Sequence, residues 1–170
     1  DSTKIVFGLA FLLSGLTMYL WIRNILGIHA GIVASILYMF APYRFVDLYV
    51  RGAIGEHVAF VFPPLILYFL LKLSKFNHYY RYTSMSLIVG GALSVAGLIL
   101  SHNAISLMFM PLIFLYALYL QSTSKESFGH LRGVVAMALL GFGLSAFFWI
   151  PAFFEGKYTL RDIVTAGEYA

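Results

Sequence analysis

Hydrophilic residues in this 170-residue chain stand in short islands between long apolar runs, and that segregation decides which solvent the fold must suit. A helix needs about 20 mostly apolar residues to cross a bilayer. Six stretches reach or approach that length: 5–22, 25–40, 57–71, 83–100, 104–120 and 133–154. None alternates with the period of two that marks a membrane barrel strand. The chain therefore reads as all-α: a polytopic transmembrane helix bundle of about six spans, forming a single transmembrane domain over 1–170. Only 11% of residues are charged, against roughly 25% in ordinary soluble domains. Too few polar groups exist to cover such a surface in water, so lipid is the solvent.

The net charge of +4 is spread singly or in small groups beside the apolar runs, with no dense Lys/Arg patch. That is how topology determinants are placed, and it gives no support for a nucleic-acid partner. Zero cysteines exclude disulfides and thiolate-bound metals. The chain begins Asp1-Ser2-Thr3-Lys4 and runs straight into an apolar segment, so it reads as a fragment of a longer multi-pass protein.

With six spans the turns alternate sides. One side collects the turns at 23–27, 72–82 and 121–132, with Arg23, Lys72, Lys75, Arg81, Lys125 and Arg132. The other collects Lys4, the island at 42–56, the turn at 101–103 and the tail after Pro151. The plain loop at 72–82 has three positive residues and the turn at 101–103 has none, which puts the first group in the cytoplasm under the positive-inside rule. Pro63-Pro64 and Pro111 fall inside apolar runs, where neighbouring helices can re-satisfy freed carbonyls. Gly90, Gly91, Ser94 and Gly97 offer a face for close helix contact, as do Gly141, Gly143 and Ser145. His29, His78 and His130 have no visible partner in the sequence.

Polar residues of chemical interest gather on the second side. The island PYRFVDLYVRGAIGE at 42–56 holds Arg44, Asp47, Arg51 and Glu56. Four charges are too costly for bare hydrocarbon, so the segment lies at the interface or lines a wet cavity. Pro42 suits the first position of a short interfacial helix over about 43–52. There Arg44, Asp47 and Arg51 would form one stripe, while Phe45, Leu48 and Tyr49 dip towards the acyl chains. Two arginines on a wet stripe suit a phosphate, because the planar fork makes paired contacts. The plain alternative is an anchor helix whose Arg–Asp pairs satisfy one another. Gly52 and Gly55 then make a turn leading to Glu56 and His57. Glu56 divides evenly between a carboxylate with a chemical role and a simple helix-start residue.

Ser101-His102-Asn103 interrupts two apolar helices, and Ser or Asn there would cap the second of them. His102 and Asn103 are candidates for contact with a bound anion. Trp149-Ile150-Pro151, then Glu155, marks the last span leaving the membrane, with Glu155 a further site candidate. Ligand spacing gives no support for a divalent metal, no serine stands in a nucleophile setting, and no nucleotide-binding glycine pattern is present.

The segments APYRFVDLYVRGAIGEHVAF, PPLILYFLL, the SHN turn and FFWIPAFFE resemble the membrane domain called "6-pyruvoyl-tetrahydropterin synthase-related", over about residues 14–155. That domain is grouped with the C-type superfamily of polytopic membrane glycosyltransferases (GT-C). No pterin site is implied, despite the name. The resemblance implies an extracytoplasmic site that takes a sugar from a polyprenyl-phosphate donor, in the plasma (cytoplasmic) membrane of a prokaryote. It implies partners limited to the lipid bilayer and a lipid-linked sugar donor. It implies Asp47 and Glu56 as supporting carboxylates and Arg44 and Arg51 as phosphate contacts, while His102, Asn103 and Glu155 are substrate-contact candidates by their own positions. In such relatives the main acidic motif lies in the first extracytoplasmic loop, ahead of the helix that starts here. A transporter or flippase of lipid-linked or anionic substrates, and a non-catalytic membrane scaffold, are the rival readings. Spans free of charge in mid-helix favour surface chemistry over transport.

Overall fold

The computed structural model describes residues 2–75, 81–124 and 127–154, without the side chains of 81–84 and 127. All regular structure among the described residues is helical. In order these are α1 (Ser2–Leu26), α2 (Ile28–Met39), α3 (Pro42–Val46), a π-helical turn (Asp47–Arg51), α4 (Ile54–Ala59), α5 (Phe62–Ser74), α6 (Arg81–Ser101), α7 (Asn103–Thr123), α8 (Ser127–Leu144) and α9 (Ala146–Phe154). The expected all-α polytopic bundle is the architecture found.

The described residues account for four to five of the roughly six expected spans. Four units among the described residues are long and apolar enough to cross: Ser2–Leu26, Ile28–Arg51, Ile54–Ser74 and Asn103–Thr123; α8 with α9 makes a fifth if that bent pair is one span. The described apolar stretch of α6, Met85–Ser101, is shorter. Helix α2 alone would measure about 18 Å at 1.5 Å per residue, too short for hydrocarbon roughly 30 Å thick. It reaches a spanning length only together with α3 and the π turn, so the short helix expected near 43–52 is present as these two elements, following on from α2.

Two further breaks have local causes. The third apolar stretch interrupts at Phe60-Val61, which leaves Pro63 and Pro64 in the first turn of α5. A missing N–H costs nothing there. The last stretch bends by 69° between α8 and α9. At the bend Ser145 is fully buried, and its hydroxyl donates to the carbonyls of Gly141 (3.0 Å) and Phe142 (3.3 Å). Trp149 donates its indole N–H to the Phe142 carbonyl at 3.0 Å. Ser145 therefore shapes a kink, beyond the simple packing its size suggested.

The core lies where α5 and α6 meet. Ile66, Leu70 and Leu98 are buried there. Helix α6 packs against α5 and α8, and α1 packs against α2, α4 and α5. The glycines of α6 let large groups approach: Phe69 against Gly90, Met137 against Gly91 and Phe62 against Gly97. Leu12, Leu37, Leu107 and Leu112 point outward, as side chains bathed in lipid should.

The ends of the bundle differ in kind. At one end Lys75 donates to the Asn24 carbonyl at 2.9 Å, tying the end of α5 to the last turn of α1. His130, which the sequence left without a partner, is buried and hydrogen-bonded through Nδ1 to Gln121 Oε1 at 2.7 Å. At the other end α4 meets the 101–103 turn, where Gly55 lies against the Ser101 carbonyl. The two ends of α7 stand about 31 Å apart at 1.5 Å per residue. Single cysteines at Ser101 and Ser124 should therefore label from opposite sides of intact cells with an impermeant thiol reagent. Labelling of both from one side would overturn this arrangement.

Candidate functional site

The polar island folds as it does because Ala41 is extended (φ −60°, ψ 133°) and Pro42 starts a new helix. After one turn the helix widens. The Gly52 N–H reaches back to the Asp47 carbonyl at 2.8 Å, five residues away, and Gly52 closes the turn in the left-handed region at φ 60°. Widened turns of this kind are frequent at functional sites. The turn delivers Arg51 to the open end of the bundle, while Arg44 and Asp47, further down, are covered by α1 and α4. The expected wet stripe is thus divided: Arg44 is 2% exposed and Asp47 0%, whereas the Arg51 side chain is 46% exposed.

Arg44 centres an inner cluster. It donates to Ser14 Oγ at 2.7 Å, and that hydroxyl donates in turn to the Phe11 carbonyl at 2.7 Å. The rings of Phe11, Tyr38 and Phe60 surround the guanidinium at 5.5, 5.6 and 5.1 Å, within range of cation–π attraction. A second arm of Arg44 lies 3.3 Å from His57 Nε2. Guanidinium has no acceptor, so Nε2 must accept, and the ring hydrogen belongs on Nδ1. That Nδ1 faces Asp47 Oδ2 at 3.8 Å. Neither Asp47 oxygen has a hydrogen-bond partner, and neither does His57 Nδ1. Arg44 and Asp47 therefore lie buried on either side of a neutral histidine, and no ion pair joins the two.

An outer cluster surrounds Glu56. Arg51 grips its carboxylate with two bonds, to Oε2 at 2.7 Å and Oε1 at 2.6 Å. Tyr43 donates to Oε2 at 2.9 Å and accepts from Arg51 at 2.8 Å. His102 caps α7: its Nδ1 accepts from the Ile105 N–H at 3.4 Å, so the ring hydrogen sits on Nε2. That Nε2 stands 3.6 Å from Glu56 Oε1. Capping falls to His102, where Ser101 or Asn103 was expected; Ser101 instead bonds back to the Gly97 carbonyl at 2.6 Å.

Of the sequence candidates, Arg51, Glu56 and His102 meet directly, and Arg44 and Asp47 lie behind them with His57. Asn103 faces a neighbouring, mostly apolar cavity of about 320 Å³, shared with Ser106, Met110, Phe142 and Trp149 among others. Glu155 lies outside the described residues, as does His78. No group of three or more His, Cys, Asp or Glu placed to hold a metal occurs among the described residues.

An outward cation beside a carboxylate, set at one end of a lipid-facing bundle, calls for comparison with known membrane domains. The family whose profile matches residues 2–166 is described as "6-pyruvoyl-tetrahydropterin synthase related domain; membrane protein". The chain belongs to this family. No curated protein and no solved structure matches the chain. In this 6-pyruvoyl-tetrahydropterin synthase related domain, several working residues escape a reading of the sequence. Ser14 sits inside an apolar run, where only its neighbours Gly15 and Thr17 hint at a small, polar inner face. Tyr38 and Tyr43 are two among twelve tyrosines, and only their hydroxyl bonds to the Phe60 carbonyl and to Glu56 set them apart.

Proposed function

We propose that this domain handles a lipid-linked sugar at the extracytoplasmic face of a prokaryotic plasma membrane, as part of a glycosyltransferase-like protein using a polyprenyl-phosphate donor. The observation that carries the reading is the half-exposed Arg51 guanidinium, set within bonding distance of Glu56 at the bundle end that also holds His102. A planar cation at the membrane surface suits the phosphate of a lipid headgroup. In the reaction an acceptor hydroxyl attacks the anomeric carbon, the bond from that carbon to the phosphate oxygen breaks, and polyprenyl phosphate leaves. Arg51 stabilises the charge on the departing phosphate. Glu56 is the nearest carboxylate to take the acceptor's proton. Arg44 and Asp47, being buried, serve as the support behind the site. In the full-length protein, Arg51→Ala should abolish sugar transfer from a polyprenyl-phosphate donor while membrane insertion stays normal. Unchanged turnover would sink the assignment.

A second reading has its own observation. Arg44, Asp47, Glu56 and His57 fall within units long enough to span the membrane, and all four are buried. Charges inside broken helices suit a transporter or flippase. Reconstitution into vesicles separates the two: a flippase moves a labelled lipid-linked sugar between leaflets without cleaving it, and a transferase cleaves it.

A further inference from the structure

The Arg51–Glu56 pair occupies two groups at once. It engages the cation that an anion would seek, and it holds down the carboxylate nearest to it. The two partners differ sharply in access: the Arg51 side chain is 46% exposed and Glu56 only 6%. An incoming anion therefore meets the guanidinium first and the carboxylate not at all. Two neighbours make release feasible. His102 carries its ring hydrogen on Nε2, and that nitrogen stands 3.6 Å from Glu56 Oε1, just beyond hydrogen-bond length. Tyr43 already donates to Oε2. Gly52, next to Arg51 and in the left-handed region, gives the arginine's end of the turn a residue with wide backbone freedom.

We propose that this ion pair is a latch opened by exchange: a phosphate ester takes Arg51, and His102 takes the place of Arg51 on Glu56. The proposal rests on the reading of Arg51 as the anion contact. The resting pair competes with the ligand for the same fork, so the latch lowers phosphate affinity and keeps Glu56 engaged until a headgroup arrives. A buried carboxylate that lost two bonds with no replacement would be costly to leave open. His102 supplies the replacement. The exchange moves no covalent bond and needs no co-reactant.

The sign of one substitution tests the idea. With full-length protein in nanodiscs, binding of farnesyl phosphate and of inorganic phosphate is measured by calorimetry. Arg51→Gln should lose tenfold or more in affinity. Glu56→Gln, although it alters a residue of the same site, should gain about tenfold, because a neutral amide competes poorly for the guanidinium. Tyr43→Phe loosens both partners and should gain about threefold, which serves if Glu56→Gln folds poorly. His102→Asn keeps a good capping residue but removes the waiting donor, and should lose about fivefold. In the Glu56→Gln background, His102→Asn should then cost nothing. Farnesyl phosphate binding much more tightly than inorganic phosphate identifies a lipid headgroup as the ligand. Equal binding identifies free phosphate, with the latch intact in either case. Loss of binding in Arg51→Gln without a gain in Glu56→Gln or Tyr43→Phe overturns the latch and leaves the Arg51 reading standing. Binding that ignores Arg51→Gln overturns both.

Discussion

Arg44→Ala should destabilise the bundle by about 1–3 kcal/mol, the usual cost of leaving buried hydrogen-bonding groups unsatisfied. The substitution strips Ser14 and His57 of a donor at 2.7 and 3.3 Å. It also empties the space between the rings of Phe11, Tyr38 and Phe60. Arg44→Lys keeps the charge but not the planar fork, so it should fall between wild type and alanine. The informative variant is the double replacement Arg44→Met with Asp47→Leu. Replacing buried, poorly satisfied polar groups by apolar ones of similar size can be nearly neutral, so the double variant should recover most of what either single change loses. Thermal unfolding in detergent micelles provides the measurement. A double variant as unstable as the two losses added together would show that the bonds to Ser14 and His57 hold the cluster.

Gly55→Val should disable the site by pushing its two halves apart. A Cβ on Gly55 would stand 2.7 Å from the Ser101 carbonyl oxygen and 3.6 Å from the His102 ring. The first of these is backbone and cannot swing aside, so α4 and the 101–103 turn must separate. Overpacking of this kind typically costs about 1–3 kcal/mol. The larger effect is functional: the 3.6 Å approach of His102 to Glu56 is lost, and the sugar transfer proposed above should fall to background while the protein still inserts. Gly143→Ala is the matched control, since a Cβ there meets nothing within 4 Å. Equal activity in the two variants would show that closeness between α4 and the 101–103 turn is not required.

The fold class needed little beyond the pattern of residues. Long apolar runs without strand alternation allow only helices in lipid, since each backbone N–H and C=O must be satisfied within its own segment. Polar islands separated by helices of known rise also predict which islands share an end. Residues 42–56 and 101–103 do share one, and Lys75 meets Asn24 at the other. The helix breaks were harder to foresee. Pro63-Pro64 reads as a proline pair inside a helix, and only the interruption at Phe60-Val61 turns it into a helix start. Ser145 reads as a small packing residue until its hydroxyl is found competing for the carbonyls of α8.

What the chain determines alone is its solvent, its helical class and the end of the bundle where its charges collect, because these follow from composition and from periodicity along one dimension. What only the tertiary structure decided is how deep each charge lies and which partner it takes. Arg44, Asp47 and Arg51 look alike as a stripe three and four residues apart, yet α1 and α4 cover the first two and leave the third half open. Burial and pairing depend on which neighbouring helix lies across a given turn, and residues as far apart as Ser14 and Arg44, or Glu56 and His102, carry no mark of that contact in their order along the chain.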